Sequence, residues 1–260
     1  VDQQQPSTTT GAFDWVAELY DAYVTTTADI PFFLDAARVA GGPVLELMAG
    51  TGRVSLPLAR AGVNLTCVDI SGPMLDRLRA KLAAEGLRAE VAEADVAKLD
   101  LPRRDYALVL LPFQAFGELV SLAAQREALE RIAAHMAPGA RLICTLHNPA
   151  VRRRTVDGQI RLLGSYPVPE RSLTLLLWSI QTEDPGEPVV GATQLYELYD
   201  PSGLLVEKRK LDVRFRLVER DAFEALAAAA GFTVEALAGT YDSAPFDPRT
   251  SPFMISTLRR

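Results

Sequence analysis

Between residues 43 and 149, short apolar runs alternate with amphipathic stretches, and few folds can accommodate that alternation. PVLEL (43–47), NLTCVDI (64–70), RAEVAEAD (88–95), DYALVLLP (105–112) and ARLICTLHNP (140–149) read as strands. GRVSLPLARAG (52–62), SGPMLDRLRAKLAAEG (71–86) and SLAAQREALERIAAHMAPG (121–139) read as helices. Ser71 caps the second and Gly86 stops it, while Pro138-Gly139 reads as the terminator of the third. Strand and helix alternating in this way mean a parallel sheet covered by helices on both faces.

The segments on either side differ. FDWVAELYDAY (13–23) places Phe13, Val16, Ala17 and Tyr20 on one helical stripe. Asp29 reads as an N-cap with Pro31 in the first turn of a helix to about Ala40, closed by Gly41-Gly42. After Pro149, RSLTLLLWSIQ, ATQLYELYD and LLVEKRKLDVRFRLV read as antiparallel strands joined at the turn signals EDPGEP and DPSG. In the last of them Leu211, Val213, Phe215 and Leu217 alternate with Lys210, Asp212, Arg214 and Arg216. A helix at 220–230, stopped by Gly231, and strands near FTVEALAGTY and PFMISTL return to the main sheet.

Bulk properties narrow the class. The chain has 260 residues and a net charge of −6, which argues against a nucleic-acid binder working through a broad basic surface. Cys67 and Cys144 sit inside apolar segments and read as buried free thiols, with no metal or redox spacing. No apolar run reaches the roughly 20 residues of a bilayer span. VDQQQPSTTTG (1–11) lacks the features of a signal peptide and reads as a flexible tail, so the expected setting is a reducing cytoplasm.

Function is expected at VLELMAGTGR (44–53), where the first strand turns into the first helix of the alternation, because open α/β sheets bind ligands beyond the carboxyl ends of their strands. A dinucleotide fingerprint would want a third glycine where Ser55 stands and has no use for Glu46. A phosphate-cradling Gly-Lys-Ser/Thr loop is absent. The segment Glu46-Leu47-Met48-Ala49-Gly50-Thr51-Gly52 instead resembles motif I of the class I S-adenosylmethionine (SAM)-dependent methyltransferases, acid-x-Gly-x-Gly-x-Gly, with Met48 in place of the first glycine. Asp69 ending VDIS and Asp95 in EADV extend the resemblance. So do LLPFQAF after the fourth strand, the N-terminal YDAY region and the terminal YDSAPFDPRTSPFMISTLRR, which is similar to small-molecule members including aminosugar N-methyltransferases.

The resemblance, which covers residues about 12–150 and 220–260, implies a Rossmann-like, doubly wound, mostly parallel seven-stranded sheet, into which the hairpins read after Pro149 insert an antiparallel β cap after strand five. It divides the chain into a tail (1–11), a cofactor-binding core with N-terminal lid helices (12–150), a cap (151–218) and a C-terminal helix and hairpin completing the sheet (219–260). It implies SAM as cofactor and a small-molecule acceptor, with neither nucleic acid nor membrane as partner, the protein acting as a monomer or as a homodimer through the cap. Glu46 suits the cofactor's positive amino group, Asp69 the ribose hydroxyls and Asp95 the adenine amino group. Tyr20 on the lid, Met48, Gly50, Gly52, Arg53, Ile70, Met74, Val96 and Leu111 complete the cofactor set; Phe113, Phe116 and Asn148 are the expected substrate contacts.

Two readings compete at several positions. His147 ends the fifth strand on the ligand side, as a general base or as packing under the cap. His135, late in a helix, reads as structural and as complementing the helix dipole. Phe113 and Phe116 divide between pocket and core, and Tyr20 and Tyr23 between lid and core. Arg152, Arg153 and Arg154 divide between a solvated loop and an anion site. Methyl transfer to N, O or an activated C is the leading function. The alternatives are a SAM-binding protein that catalyses another rearrangement or serves as a non-enzymatic subunit, and an NAD-type oxidoreductase. A methionine at the first glycine position either stays out of the left-handed region or carries strain.

Overall fold

The computed structural model describes residues 12–260 and the backbone of Asp2–Gln3 (β1). The expectation of a flexible tail over 1–11 otherwise lies outside the described residues. Seven strands form the main sheet: β2 (Val44–Leu47), β3 (Leu65–Asp69), β4 (Glu90–Glu93), β5 (Tyr106–Leu111), β6 (Met136–His147), β11 (Thr233–Ala238) and β12 (Phe253–Arg259). Their order is β11-β12-β6-β5-β2-β3-β4, with only β12 running against the rest. The chain steps outward from β2 through β3 to β4, then returns to lay β5 on the other side of β2. Strand order therefore reverses at β2, and the crevice of a doubly wound sheet opens there.

Helices cover both faces, which explains why β2 and β5 are apolar at nearly every position. Leu45, Leu47, Val109 and Leu111 pack with Leu129 and Ile132 of α5 (Leu122–His135) and Phe223 of α7 (Arg220–Ala229). Val44, Leu108 and Leu110 face Phe33 of α2 (Ile30–Ala40), Leu58 of α3 (Ser55–Arg60) and Leu75 and Leu78 of α4 (Gly72–Ala84).

The inserted cap holds β7 (Arg161–Val168), β8 (Leu173–Glu183), β9 (Val189–Tyr199) and β10 (Leu205–Arg216), antiparallel in sequence order, with β1 alongside β10. Its inner face, with Leu175, Leu177, Tyr196, Leu198 and Leu211, buries Ala12 and Val16 of a short 3₁₀ helix and Leu19 of α1 (Ala17–Tyr23). Arg209 of β10 reinforces the contact, donating to the Trp15 carbonyl at 2.6 Å and to Glu18 at 2.6 Å. Lid and cap thus share one apolar core. Among the described residues no helix is long and apolar enough to cross a membrane.

Four local expectations need correction. α5 ends at His135, not at Pro138-Gly139, because Met136 is already extended (φ −96°, ψ 143°) and pairs with Tyr106. His135 is structural for a different reason than a dipole. Its Nε2 accepts from the Leu101 amide at 2.9 Å while Nδ1 faces the Arg131 carbonyl at 2.7 Å, an arrangement that needs a neutral ring, and burial lowers its pKa. β7 was not anticipated: Gly164 and Pro167 interrupt its pattern, and both are tolerated because β7 is an edge strand with a register shift next to Gly164. Asp29 occupies the N-cap of α2 without capping it, because its carboxylate is turned to Arg53.

Candidate active site

The turn after β2 is held open by hydrogen bonds to the end of β3. The Ala49 amide donates to the Val68 carbonyl (2.9 Å), and the Gly50 amide donates to Asp69 Oδ2 (2.7 Å). Asp69 Oδ1 accepts from the Ser71 amide at 2.8 Å. Each Asp69 oxygen thus takes one backbone donor and keeps acceptor capacity for a ligand. Burial raises its pKa, and the Ser71 and Gly50 amides pull the other way. Gly52 (φ 90°) has a packing role: a Cβ there would lie 2.3 Å from Leu78 Cδ1. Met48 takes the strained alternative, at φ 56°, a conformation that costs a non-glycine residue on the order of 1–2 kcal/mol.

Above this turn lies a cavity of about 470 Å³ at the carboxyl ends of β2, β3, β4 and β5, within the roughly 300–1,000 Å³ usual for small-ligand sites. Tyr20, Glu46, Met48, Gly50, Arg53, Asp69, Ile70, Met74, Asp95, Val96 and Phe113 all line it. Ala12 and Phe13 before α1, and Val213 and Arg214 of β10, line it as well. The lid is latched by Asp21, which accepts from Thr51 Oγ1 (2.5 Å) and pairs with Lys81 (2.6 Å). Lys81 in turn donates to the Thr51 carbonyl at 2.9 Å.

Five expected site residues are not brought to this wall. Gly52 packs on α4, and Leu111 is wholly buried between β5 and the α5 side of the sheet. Phe116 is core, edge-to-face with Phe223 at 5.5 Å. Asn148 caps α6 (Pro149–Arg152) through the Ala150 amide, and its own amide group donates to the Ser251 and Pro248 carbonyls. His147 lies against Phe215, ring centroids 5.3 Å apart, and burial, with Arg152 adding, pushes its imidazole down to about 3. That group stays neutral near pH 7 and is poorly matched to general-base work. The three arginines are engaged elsewhere: Arg152 over Phe215 and on Gln181, Arg153 on Glu183 and Glu219, Arg154 on the Arg249 carbonyl.

The cavity is acidic. Glu46, Asp69, Asp95 and Glu118 line it, and its two arginines are already paired, Arg53 with Asp29 and Arg214 with Asp184. Glu46 is fully enclosed and accepts from Ser55 Oγ at 2.7 Å; burial pushes its carboxyl up to about 8, against the Ser55 bond and Arg53. Glu118, which sequence reasoning missed, follows Phe113 and Gln114, both in left-handed conformation (φ 57° and 60°). Its side chain lines the cavity and is open to solvent there, while the surrounding protein, with Asp69 adding, raises its carboxyl to about 7.

The sign of the resulting pH dependence follows directly. Glu46 and Glu118 bind a proton more tightly in the folded than in the unfolded chain. The stability this contributes is complete below the ordinary value of 4.5 and is lost as pH rises through about 7 and 8. The ligand-free protein is expected to melt at progressively lower temperature between about pH 5 and 8.5. Glu46→Gln and Glu118→Gln should each flatten part of that slope. Calorimetric scans with equal slopes in all three proteins would contradict these environments.

Comparison with known proteins agrees with this geometry. The methyltransferase-domain family description matches residues 44–139. A demethylmenaquinone methyltransferase of Clavibacter sepedonicus is 30% identical over 156 residues, covering 57% of this chain and only 62% of that relative. Among solved structures, the CcbJ methyltransferase from Streptomyces caelestis is 26% identical with a TM-score of 0.76, covering 97% of this chain and 98% of that one. A SAM-dependent methyltransferase from Clostridium acetobutylicum shares the fold at 13% identity, with a TM-score of 0.81 over 95% and 98% of the two chains. Residues 44–139 match a methyltransferase-domain description, and the structures that share the fold include a SAM-bound amino pentose methyltransferase. The site fits this cofactor: Asp69 is pre-positioned as an acceptor, and a side chain on Gly50 would project from the turn with no protein atom within 4 Å.

Proposed function

We propose that this chain, a class I SAM-dependent methyltransferase fold around the 44–139 domain, transfers a methyl group from SAM to a small molecule. The observation that carries the proposal is Asp69, clamped by Gly50 and Ser71 at the strand-order reversal beside an acidic cavity. Asp69 would accept the ribose hydroxyls, Glu46 the amino group, and Asp95 the adenine amino group, with Ile70, Met74 and Val96 as apolar walls. When bound, the cofactor supplies a methyl group already activated by a sulfonium. The protein's own work is alignment and exclusion of water. The lid and β10 close over the cavity, which favours a small acceptor in secondary metabolism over a macromolecular one. The two buried free thiols suit a cytoplasmic setting.

As to assembly, the reading is a monomer or a homodimer through the outward face of the cap. Leu162, Trp178 and Leu195 stand there at paired positions across three strands, and light scattering distinguishes the two states. For function, calorimetry is expected to detect S-adenosylhomocysteine (SAH) binding and no NADH binding, with SAH released from SAM on addition of an acceptor. Tight NADH binding without SAH binding would make the chain an oxidoreductase. SAH binding without turnover on any acceptor would leave a non-enzymatic subunit.

A further inference from the structure

We propose that Glu46 is an un-ionised acid in the ligand-free protein and gives up its proton when the cofactor's amino group binds, so that cofactor binding is a proton exchange. The inference rests on the cofactor reading above and names how pH regulates that same site.

Glu46 lies inside the sheet, in register with Cys67 of β3 on one side and Leu110 of β5 on the other. All four residues of β2 are buried, and Glu46 is 1% exposed although it lines the cavity. An ionised carboxylate has about four acceptor sites to fill. Here one donor reaches them, the Ser55 hydroxyl at 2.7 Å, and Ser55 is itself wholly buried. Arg53 stands within electrostatic reach, but its fork is held by both oxygens of Asp29. The other groups facing Glu46 offer no positive charge. Asp69 at the end of β3 and Asp29 before α2 are acids, and Cys67 is a thiol that burial keeps protonated. A carboxyl group in so dry a place takes up a proton unless a cation pairs with it. Asp69 gives the contrast: two backbone amides support it as an anion. Among the described residues no backbone amide donates to Glu46, and burial pushes its carboxyl up to about 8.

The proton balance is simple. The cofactor's amino group arrives as an ammonium ion. The O–H bond of Glu46 breaks, the proton leaves to solvent, and the carboxylate keeps the electron pair and faces the ammonium. A neutral acid thereby becomes half of an ion pair. The sign of the pH dependence follows: affinity rises with pH while the ligand-free protein holds the proton, and levels off above about 8, where Glu46 is already ionised. The ligand-free protein loses stability over the same range, so the stabilisation conferred by the ligand grows as the bare protein weakens.

Two ligands separate the amino group from the rest of the cofactor. SAH carries it; 5′-methylthioadenosine keeps the nucleoside and the thioether and lacks the amino-acid end. Calorimetry at pH 7 in buffers of different ionisation enthalpy counts the protons released. The native protein is expected to release about one proton with SAH and almost none with 5′-methylthioadenosine, and its SAH affinity should rise roughly tenfold from pH 6 to pH 7. In Glu46→Gln, an isosteric change that keeps an acceptor for Ser55, SAH should release no more protons than 5′-methylthioadenosine and its affinity should follow an equally shallow pH profile. Equal proton release with the two ligands would assign the titration to a group facing the nucleoside, such as Asp69. SAH binding without proton release would mean that Glu46 is ionised beforehand. Either result overturns the proposal. Absence of SAH binding by the native protein would instead defeat the cofactor reading, and the inference with it.

Discussion

Replacing Arg53 with alanine is expected to destabilise the ligand-free protein by roughly 3–5 kcal/mol, the usual cost of leaving a buried charge without its partner. The Arg53 fork donates to Asp29 Oδ1 at 2.5 Å and Oδ2 at 2.6 Å, and Nη1 also reaches the Thr26 carbonyl at 2.9 Å. The Asp29 side chain is only 3% exposed, so water cannot replace what alanine removes. Arg53→Lys should recover less than half, because an ammonium cannot make the two parallel bonds. The paired change Arg53→Met with Asp29→Leu should recover most of the loss, since an apolar pair of similar volume does not leave a stranded charge. Urea unfolding at pH 7 measures all four proteins. A loss below about 1 kcal/mol for Arg53→Ala would mean that the pair is solvated and worth no more than a surface bridge.

The same pair illustrates what the sequence made legible. Arg53 was identified by its place after the glycine turn, and the structure does put it on the cavity wall. Its partner was misread, because Asp before Ile-Pro carries a capping signal that a distant guanidinium overrides. Residues placed at strand ends by counting, such as Glu46, Asp69 and Asp95, surround the cavity, since a parallel strand exposes its carboxyl end to the crevice whatever the details. Counting fails where the face of the strand or the shape of a loop decides. Leu111 and His147 end their strands, but Leu111 points into the core and His147 onto Phe215. Glu118 reaches the cavity from a turn in which Phe113 and Gln114 both adopt positive φ, and neither residue type signals that conformation. The union of lid and cap was equally hidden, because the contacts of Leu19 with Leu177 and Leu198 span most of the chain.

The loss expected for the cofactor itself comes from Asp69→Ala, which should weaken SAH binding by about 1.5–3 kcal/mol, or roughly 10- to 150-fold. Two effects act together. The alanine removes the acceptor proposed for the ribose hydroxyls, and it frees the Gly50 and Ser71 amides that Asp69 holds at 2.7 and 2.8 Å. Asp69→Asn separates them, because its single amide oxygen keeps part of the backbone clamp and loses the charge. Asp69 also sets a pH signature. Burial raises its pKa above the ordinary aspartate value. On acidification the native protein should therefore begin to lose SAH affinity at a higher pH than an ordinary aspartate would impose, as the carboxylate takes up a proton and one of its acceptor sites becomes a donor. That contribution to the pH dependence should vanish in Asp69→Asn. Unchanged SAH affinity in a folded Asp69→Ala protein would remove the ribose assignment, and a clamp role alone would show instead as a lower melting temperature with SAH affinity retained.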